Sequence, residues 1–212
     1  MNKERYAYES KAYENGYQVI AGCDEAGRGP MAGPLTVAAV VFEKGYYDER
    51  INDSKQLSEK KREALYDLII ENAKAYAIVV IPAQKVDEYN VYEASRLGMI
   101  EAVERLNVKV DYVLTDAMPL NNDMTYEAII KGDALSISIA AASILAKVTR
   151  DRLMKEYDKE YPEYKFAKHK GYVTKEHKEL LKKYGPCPIH RRSFAPVKAC
   201  FEEQLIFQLS EK

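Results

Sequence analysis

From Tyr17 the chain reads YQVIAGCDEAGRGPMAGPLTVAAVVF: an apolar run, an interruption rich in Gly and Pro, and a second run rich in Val. Short apolar runs bounded by turn-forming residues are strands, so this segment commits the chain to a sheet. It also puts Asp24 and Glu25 at the end of the first strand, directly before the turn Gly27-Arg28-Gly29. Adjacent acids are poor core residues, and glycines let backbone approach another molecule closely. The segment therefore reads as a place where a ligand arrives.

Beyond Phe42 the chain alternates between the two periodicities. DSKQLSEKKREALYDLIIENAKAY has Ser58 as a helix cap and Leu65, Leu68 and Ile69 at helical spacing. AIVVIP is a third strand, VYEASRLGMIEAVERL a helix with Ala94, Leu97, Ile100 and Val103 on one stripe, and DYVLTD a fourth strand ending in Asp116. YEAIIKGD gives a short strand with Asp133 at or just beyond its end, ahead of the long helix ALSISIAAASILAKVTRDRLMKEYDKEY, whose start is packed with small residues. Thr174 caps a helix through KEHKELLKKYG, closed by Gly185, and VKACFEEQLIFQLSEK reads as a final amphipathic helix. Alternation of this kind implies an α/β layer structure. With no internal repeat or linker, one domain over residues 1–212 is expected, with a core in 17–160 and a basic helical part in 161–212.

Charge divides unevenly along the 212 residues: residues 1–23 are neutral, the stretch from Asp24 to Asp133 is acidic and residues 134–212 are basic, although the whole carries only -1. Between Lys165 and Arg192 there are nine Lys or Arg against two Glu. That split suits a carboxylate metal site accompanied by a surface for a polyanion. Cys23, Cys187 and Cys200 are odd in number and form no CxxC pair, so neither a disulfide framework nor a zinc site is indicated, and a cytoplasmic location is expected. No apolar run reaches the roughly 18 residues of a membrane span, and MNKERYAYES has no signal-peptide core.

Four acids recur at strand ends or just beyond them: Asp24, Glu25, Asp116 and Asp133. If these ends adjoin, their carboxylates converge into an oxygen donor set of the kind that Mg²⁺ and Mn²⁺ prefer. Two such ions can hold both the attacking water and the leaving oxygen of a phosphodiester. The glycines of Gly27-Arg28-Gly29 would admit a sugar or phosphate to the backbone, and KHKGY supplies basic residues beside Tyr172, an aromatic able to stack on a sugar or base. His169 and His190, set among Lys and Arg, suit phosphate contact. GRGPMAG lacks both the Walker lysine and the GxGxxG spacing, which argues against nucleoside-triphosphate and hydride chemistry.

Taken in order, DEAGRGPMAGP, DSKQLS, DYVLTDAMPL, GDALSISIAAASILAKVTRD, KHKGYVTKEH and YGPCPIHRRSFAPV resemble the type 2 ribonuclease H family, in its bacterial HII branch. The resemblance implies a ribonuclease H-like fold, a central mixed five-stranded sheet flanked by helices with a helical C-terminal elaboration. It makes Asp24, Glu25, Asp116 and Asp133 the catalytic metal ligands, for Mn²⁺ or Mg²⁺ in a two-metal mechanism. Gly27, Arg28 and Gly29 would contact the 2′-OH of a ribonucleotide, and Tyr172 would stack at the RNA–DNA junction. Lys55, Lys147, Lys170, Arg191 and Arg192 are candidates for phosphate contact.

The reaction so implied is hydrolysis of the RNA strand in RNA·DNA hybrids and cleavage 5′ to single ribonucleotides in duplex DNA, leaving 3′-OH and 5′-phosphate ends, in ribonucleotide removal from DNA. A monomer without membrane attachment is expected; a sliding-clamp partner stays open, with no residue pattern in its support. Cys23 stands where the family pattern has a plain aliphatic, which suggests oxidation sensitivity, and Val173 where a small or turn residue is usual. Competing readings are HIII-like cleavage of longer hybrids only, a non-catalytic nucleic-acid-binding module, and a small-molecule metallophosphohydrolase.

Overall fold

The computed structural model of the chain describes residues 4–201. Its strands are β1 (Ile20–Ala26), β2 (Leu35–Val41), β3 (Ala75–Ile81), β4 (Tyr112–Asp116) and β5 (Tyr126–Ile129). Its α-helices are α1 (Ala7–Glu14), α2 (Glu59–Asn72), α3 (Ala83–Tyr89), α4 (Val91–Glu104), α5 (Gly132–Leu135), α6 (Ile137–Glu160), α7 (Phe166–His169) and α8 (Lys175–Tyr184), with residues 195–201 also helical. The rest of the expected final helix, including QLIFQLSEK, lies outside the described residues.

One sheet holds all five strands in the order β3-β2-β1-β4-β5. β1 runs antiparallel to β2 and parallel to β4, and β4 runs parallel to β5, so the sheet is mixed. Burial explains the order. Every residue of β2 is buried, as befits an inner strand covered on both faces, whereas β3 alternates between buried and less buried positions at the sheet edge. The predicted caps are formed: the Ser58 hydroxyl accepts from the Lys61 N–H at 3.4 Å, and the Thr174 hydroxyl from the His177 N–H at 3.1 Å. Gly185, at φ 76°, ends α8.

By proximity along the backbone the chain forms two compact units. The first comprises the described residues up to Ala26 together with Thr36–Val80 and Ser95–Thr149. Its core joins Ala38, Val40 and Phe42 of the sheet region to Leu65 and Ile69 of α2 and to Ile137, Ala140, Ile144 and Leu145 of α6. The small residues at the start of α6 let it lie close to β1: a Cβ at Gly22 would stand 2.2 Å from the Ser138 carbonyl carbon. The second unit comprises Gly27–Leu35, Ile81–Ala94 and the described residues from Arg150 onward. Ala32, Met154, Tyr164, Phe166 and Ile189 form one of its apolar clusters. Among the described residues, no helix is long and apolar enough to cross a membrane.

Periodicity predicts neither α1 and α3 nor the one-turn helices α5 and α7 as separate elements. α3 has seven residues, too few to show a full apolar stripe, and α1 has little contrast between its faces. The fifth strand stops at Ile129, so Asp133 stands four residues beyond it, inside α5, after Lys131 has turned the chain through a left-handed conformation at φ 60°.

Candidate active site

Register brings the first two acids together. Cys23 of β1 is level with Thr115 of β4. One step further, Asp24, inside β1 near its end, and Asp116, the last residue of β4, therefore stand side by side and on one face. Asp133 joins them from α5, and one carboxylate oxygen from each of Asp24, Asp116 and Asp133 lies within 4.8 Å of the others. Asp24 and Asp133 are buried and Asp116 is half-buried. Glu25, expected as a further ligand, is half-buried and stands outside this trio, although its charge reaches Asp24.

Each member of the trio is held by its surroundings. An Asp116 oxygen accepts from the Gly132 N–H at 2.8 Å, which ties the end of β4 to the turn carrying Asp133. Asp133 accepts from the Lys55 ammonium at 2.8 Å, and Lys55 is presented by a short turn in which Asp53 accepts from the Lys55 N–H at 2.9 Å. Asp24 accepts from the Glu25 N–H at 2.7 Å and from the Ser143 hydroxyl of α6. With its proton directed at Asp24, Ser143 accepts in turn from Ser54, 2.8 Å away. Neither serine was expected from the sequence. Their only signal there is their place in DSKQLS and SIAAAS, where a hydroxyl looks like another small residue.

Burial, reinforced by the charges of Glu25 and Asp116, holds the Asp24 carboxyl well above the ordinary carboxylate range. Burial likewise raises Asp116; Asp133 adds to that effect, while the Gly132 N–H and Lys55 oppose it. The hydrogen bond to Asp133 raises Lys55. An all-oxygen donor set whose members repel one another fits a hard divalent cation such as Mg²⁺ or Mn²⁺, which would relieve that repulsion.

The glycine turn and Tyr172 belong to the second unit. Gly27 has φ 101°, and a Cβ there would stand 2.2 Å from the Arg150 Nε, so only glycine fits. Arg191, a candidate for phosphate contact, is fully buried and donates to the carbonyls of Gly27 (2.7 Å), Arg28 (3.1 Å) and Gly33 (3.0 Å). Its guanidinium holds the turn. Arg150, equally buried, donates to Ala32, Pro34 and Lys170 at 2.9–3.1 Å. Arg28 and Gly29 are exposed, and among the described residues beyond its chain neighbours a Cβ built on Gly29 meets, within 4 Å, the Tyr172 Cε1 alone, at 3.8 Å. Tyr172 is 44% exposed, with the Arg150 guanidinium carbon 5.9 Å from its ring centroid.

The remaining candidates occupy different settings. Lys147 is half-buried on α6, Lys170 is half-buried with its ammonium donating to the Ala167 carbonyl at 2.7 Å, and Arg192 is exposed. His169 and His190 correct the expectation of phosphate contact: both are buried, and their ring nitrogens bond to protein groups. Cys23 is fully buried, and burial with the Asp24 charge keeps its thiol protonated far above the usual range, which removes the basis for oxidation sensitivity.

Known proteins resemble this chain in sequence and in fold. A sequence model of the family described as Ribonuclease HII matches residues 21–197. A ribonuclease HII of Acholeplasma laidlawii is 53% identical over 93% of this chain and 97% of its own, and one of Bacillus licheniformis is 55% identical over 91% of this chain and 76% of its own. The crystal structure of ribonuclease H2 from Pyrococcus horikoshii superposes with a TM-score of 0.76 at 29% identity, covering 88% of this chain and 98% of that one. The sheet is accordingly that of the ribonuclease H-like fold, and the chain belongs to the ribonuclease HII family of hydrolytic endonucleases.

Proposed function

We propose that the chain hydrolyses the RNA strand of RNA·DNA hybrids and cuts 5′ to single ribonucleotides embedded in duplex DNA, leaving 3′-OH and 5′-phosphate ends, and so serves ribonucleotide removal from DNA. The observation that carries the reading is the meeting of Asp24, Asp116 and Asp133 from β1, β4 and α5. These three residues, with Glu25 beside them, would hold Mg²⁺ or Mn²⁺. Such ions, when bound, supply the charge that activates water and stabilises the leaving oxygen. Ser143 and Gly132 fix the carboxylates to which they donate, and Lys55 neutralises Asp133 until a cation takes its place.

Selectivity for RNA requires the 2′-OH to be felt, because it is what separates a ribonucleotide from its deoxy counterpart. The exposed Arg28-Gly29 edge, with its backbone fixed from behind by Arg191, is suited to that contact, and Tyr172 beside it is suited to stacking at the junction. Lys147, Lys170 and Arg192 would meet phosphates.

The test is a labelled DNA duplex holding one ribonucleotide, incubated with Mg²⁺ or Mn²⁺ beside an all-DNA duplex and a long RNA·DNA hybrid. A single cut 5′ to the ribonucleotide, abolished by chelator, supports the reading. Cutting of the long hybrid alone would replace it with the HIII-like one. Binding without any cutting would leave a non-catalytic module.

A further inference from the structure

Three buried histidines in the second unit have no part in the chemistry proposed above. His177 is fully buried, His190 is 3% exposed and His169 8% exposed, packed around Phe166 and Tyr164. Their hydrogen bonds fix where every ring proton sits. The Cys187 N–H lies 3.0 Å from the Nδ1 of His190, whose lone pair must accept it. The proton of a neutral His190 is then on Nε2, which faces the Nε2 of His177 at 3.1 Å. His177 accepts there, so its own proton is on Nδ1, and this donates to the Tyr172 carbonyl at 2.9 Å. One directional chain thus runs from the Cys187 amide through both imidazoles to the backbone of Tyr172.

His169 completes the hold. Its Nδ1 accepts from the Gly171 N–H at 3.2 Å, its Nε2 donates to the Tyr164 carbonyl at 2.7 Å, and its ring stacks on His177 with centroids 4.1 Å apart. Its carbonyl accepts from the Tyr172 N–H at 2.9 Å. The held backbone is a strained one, with Lys170 and Gly171 consecutively at φ 51° and 81°, and backbone bonds share the hold: the Tyr172 carbonyl also accepts from the Thr174 N–H at 2.8 Å, and the Gly171 carbonyl from the Met31 N–H at 3.0 Å. Because the Tyr172 ring turns only about χ1 and χ2, the position of its backbone decides where the ring is presented.

We propose that His177 and His190 are positioning residues that set the Tyr172 ring for its substrate. The proposal rests on the reading that Tyr172 stacks on the nucleic acid. A stacked aromatic contributes about 1–3 kcal/mol per base, and about 1.4 kcal/mol of that range corresponds to a tenfold rise in KM when its placement is lost.

KM and kcat on the one-ribonucleotide duplex would be compared for the wild type, Tyr172→Ala, His177→Leu, the double variant, and His177→Asn, whose Nδ2 can stand in for the lost Nδ1 donor. The expected result is a similar rise in KM, about tenfold, for Tyr172→Ala and His177→Leu, no further rise in the double variant, little change in kcat, and recovery in His177→Asn. An unchanged KM in His177→Leu, or effects that multiply in the double variant, would overturn the proposal. An unchanged KM in Tyr172→Ala would instead remove the stacking reading and the proposal with it.

Should His177→Leu fail to fold, ¹⁵N NMR of the unmodified protein reads the tautomers. A proton on Nδ1 of His177 and on Nε2 of His190 supports the chain; either ring in the other form breaks it.

Discussion

Gly29→Ala separates substrate contact from folding, because the protein itself has room for the methyl. The atom nearest to a Cβ built at Gly29 is the Tyr172 Cε1 at 3.8 Å, an ordinary van der Waals distance, and Gly29 is not among the positive-φ glycines. Replacing glycine by alanine at a compatible position stabilises a protein by about 0.4–1 kcal/mol, through the unfolded chain. Thermal unfolding should therefore be unchanged or slightly later. If the exposed backbone here approaches the ribose, the same methyl enters the space of the substrate. Displacing the reacting geometry by about 1 Å costs about 10²-fold. The assay is the initial rate of cleavage at a single ribonucleotide, with melting recorded on the same preparation. Wild-type cleavage by Gly29→Ala would refute the close approach. Gly27→Ala could not decide the matter, since its φ of 101° and the 2.2 Å contact with Arg150 damage the fold first.

Other consequences can be checked separately. Asp133→Asn should abolish cleavage while leaving hybrid affinity, read by fluorescence anisotropy, near the wild-type value; the loss should exceed the roughly 10–100-fold typical of a partner outside the ligand set. Asp24→Asn should raise the melting temperature of the metal-free protein at neutral pH. Burial and like charges raise the folded-state pKa of Asp24, so the folded state binds more protons than the unfolded one above 3.8, and its stability falls as pH rises through that window. The gain should shrink as pH falls toward 3.8, which melting at a series of pH values would show. Burial depresses His177 to about 4 and His190 to about 3. Between those values and 6.5 the unfolded chain binds the extra protons, so stability should fall on acidification by up to about 1.4 kcal/mol per pH unit for each imidazole. Denaturant unfolding from pH 7 to pH 4 measures this, and a flat profile would contradict it.

The parts of the fold legible in the sequence were those that write themselves as local pattern. Apolar runs broken by Gly and Pro marked β1 and β2, Ser58 and Thr174 marked helix starts, and acids at or beyond strand ends marked the trio. Burial of polar side chains was not legible in the same way. In KHKGY and PIHRRSF, His169, His190 and Arg191 look like a solvated, phosphate-facing surface, yet all three lie inside. Loops without a ladder of their own must satisfy their carbonyls and amides with something, and buried Arg and His do so here: Arg191 for the turn at Gly27, and His169 and His177 for the turn at Tyr172. Which loops need such partners depends on chain paths set by the whole fold. For the same reason Ser54 and Ser143, 89 residues apart, could not be paired in advance. Asp133 was placed near a strand end, but the left-handed Lys131 and the short α5 carry it into position.

In the chemistry proposed above, Asp24, Asp116 and Asp133 together form a divalent-cation centre. Calorimetric titration of Mn²⁺ into the wild-type protein and into Asp116→Asn tests it most directly, since Asp116 is the member of the trio that joins β4 to the turn carrying Asp133. Saturable Mn²⁺ binding is expected for the wild type, weakened by at least tenfold in the variant with its fold intact. Equal affinity in the two proteins would contradict the claim and place the metal elsewhere.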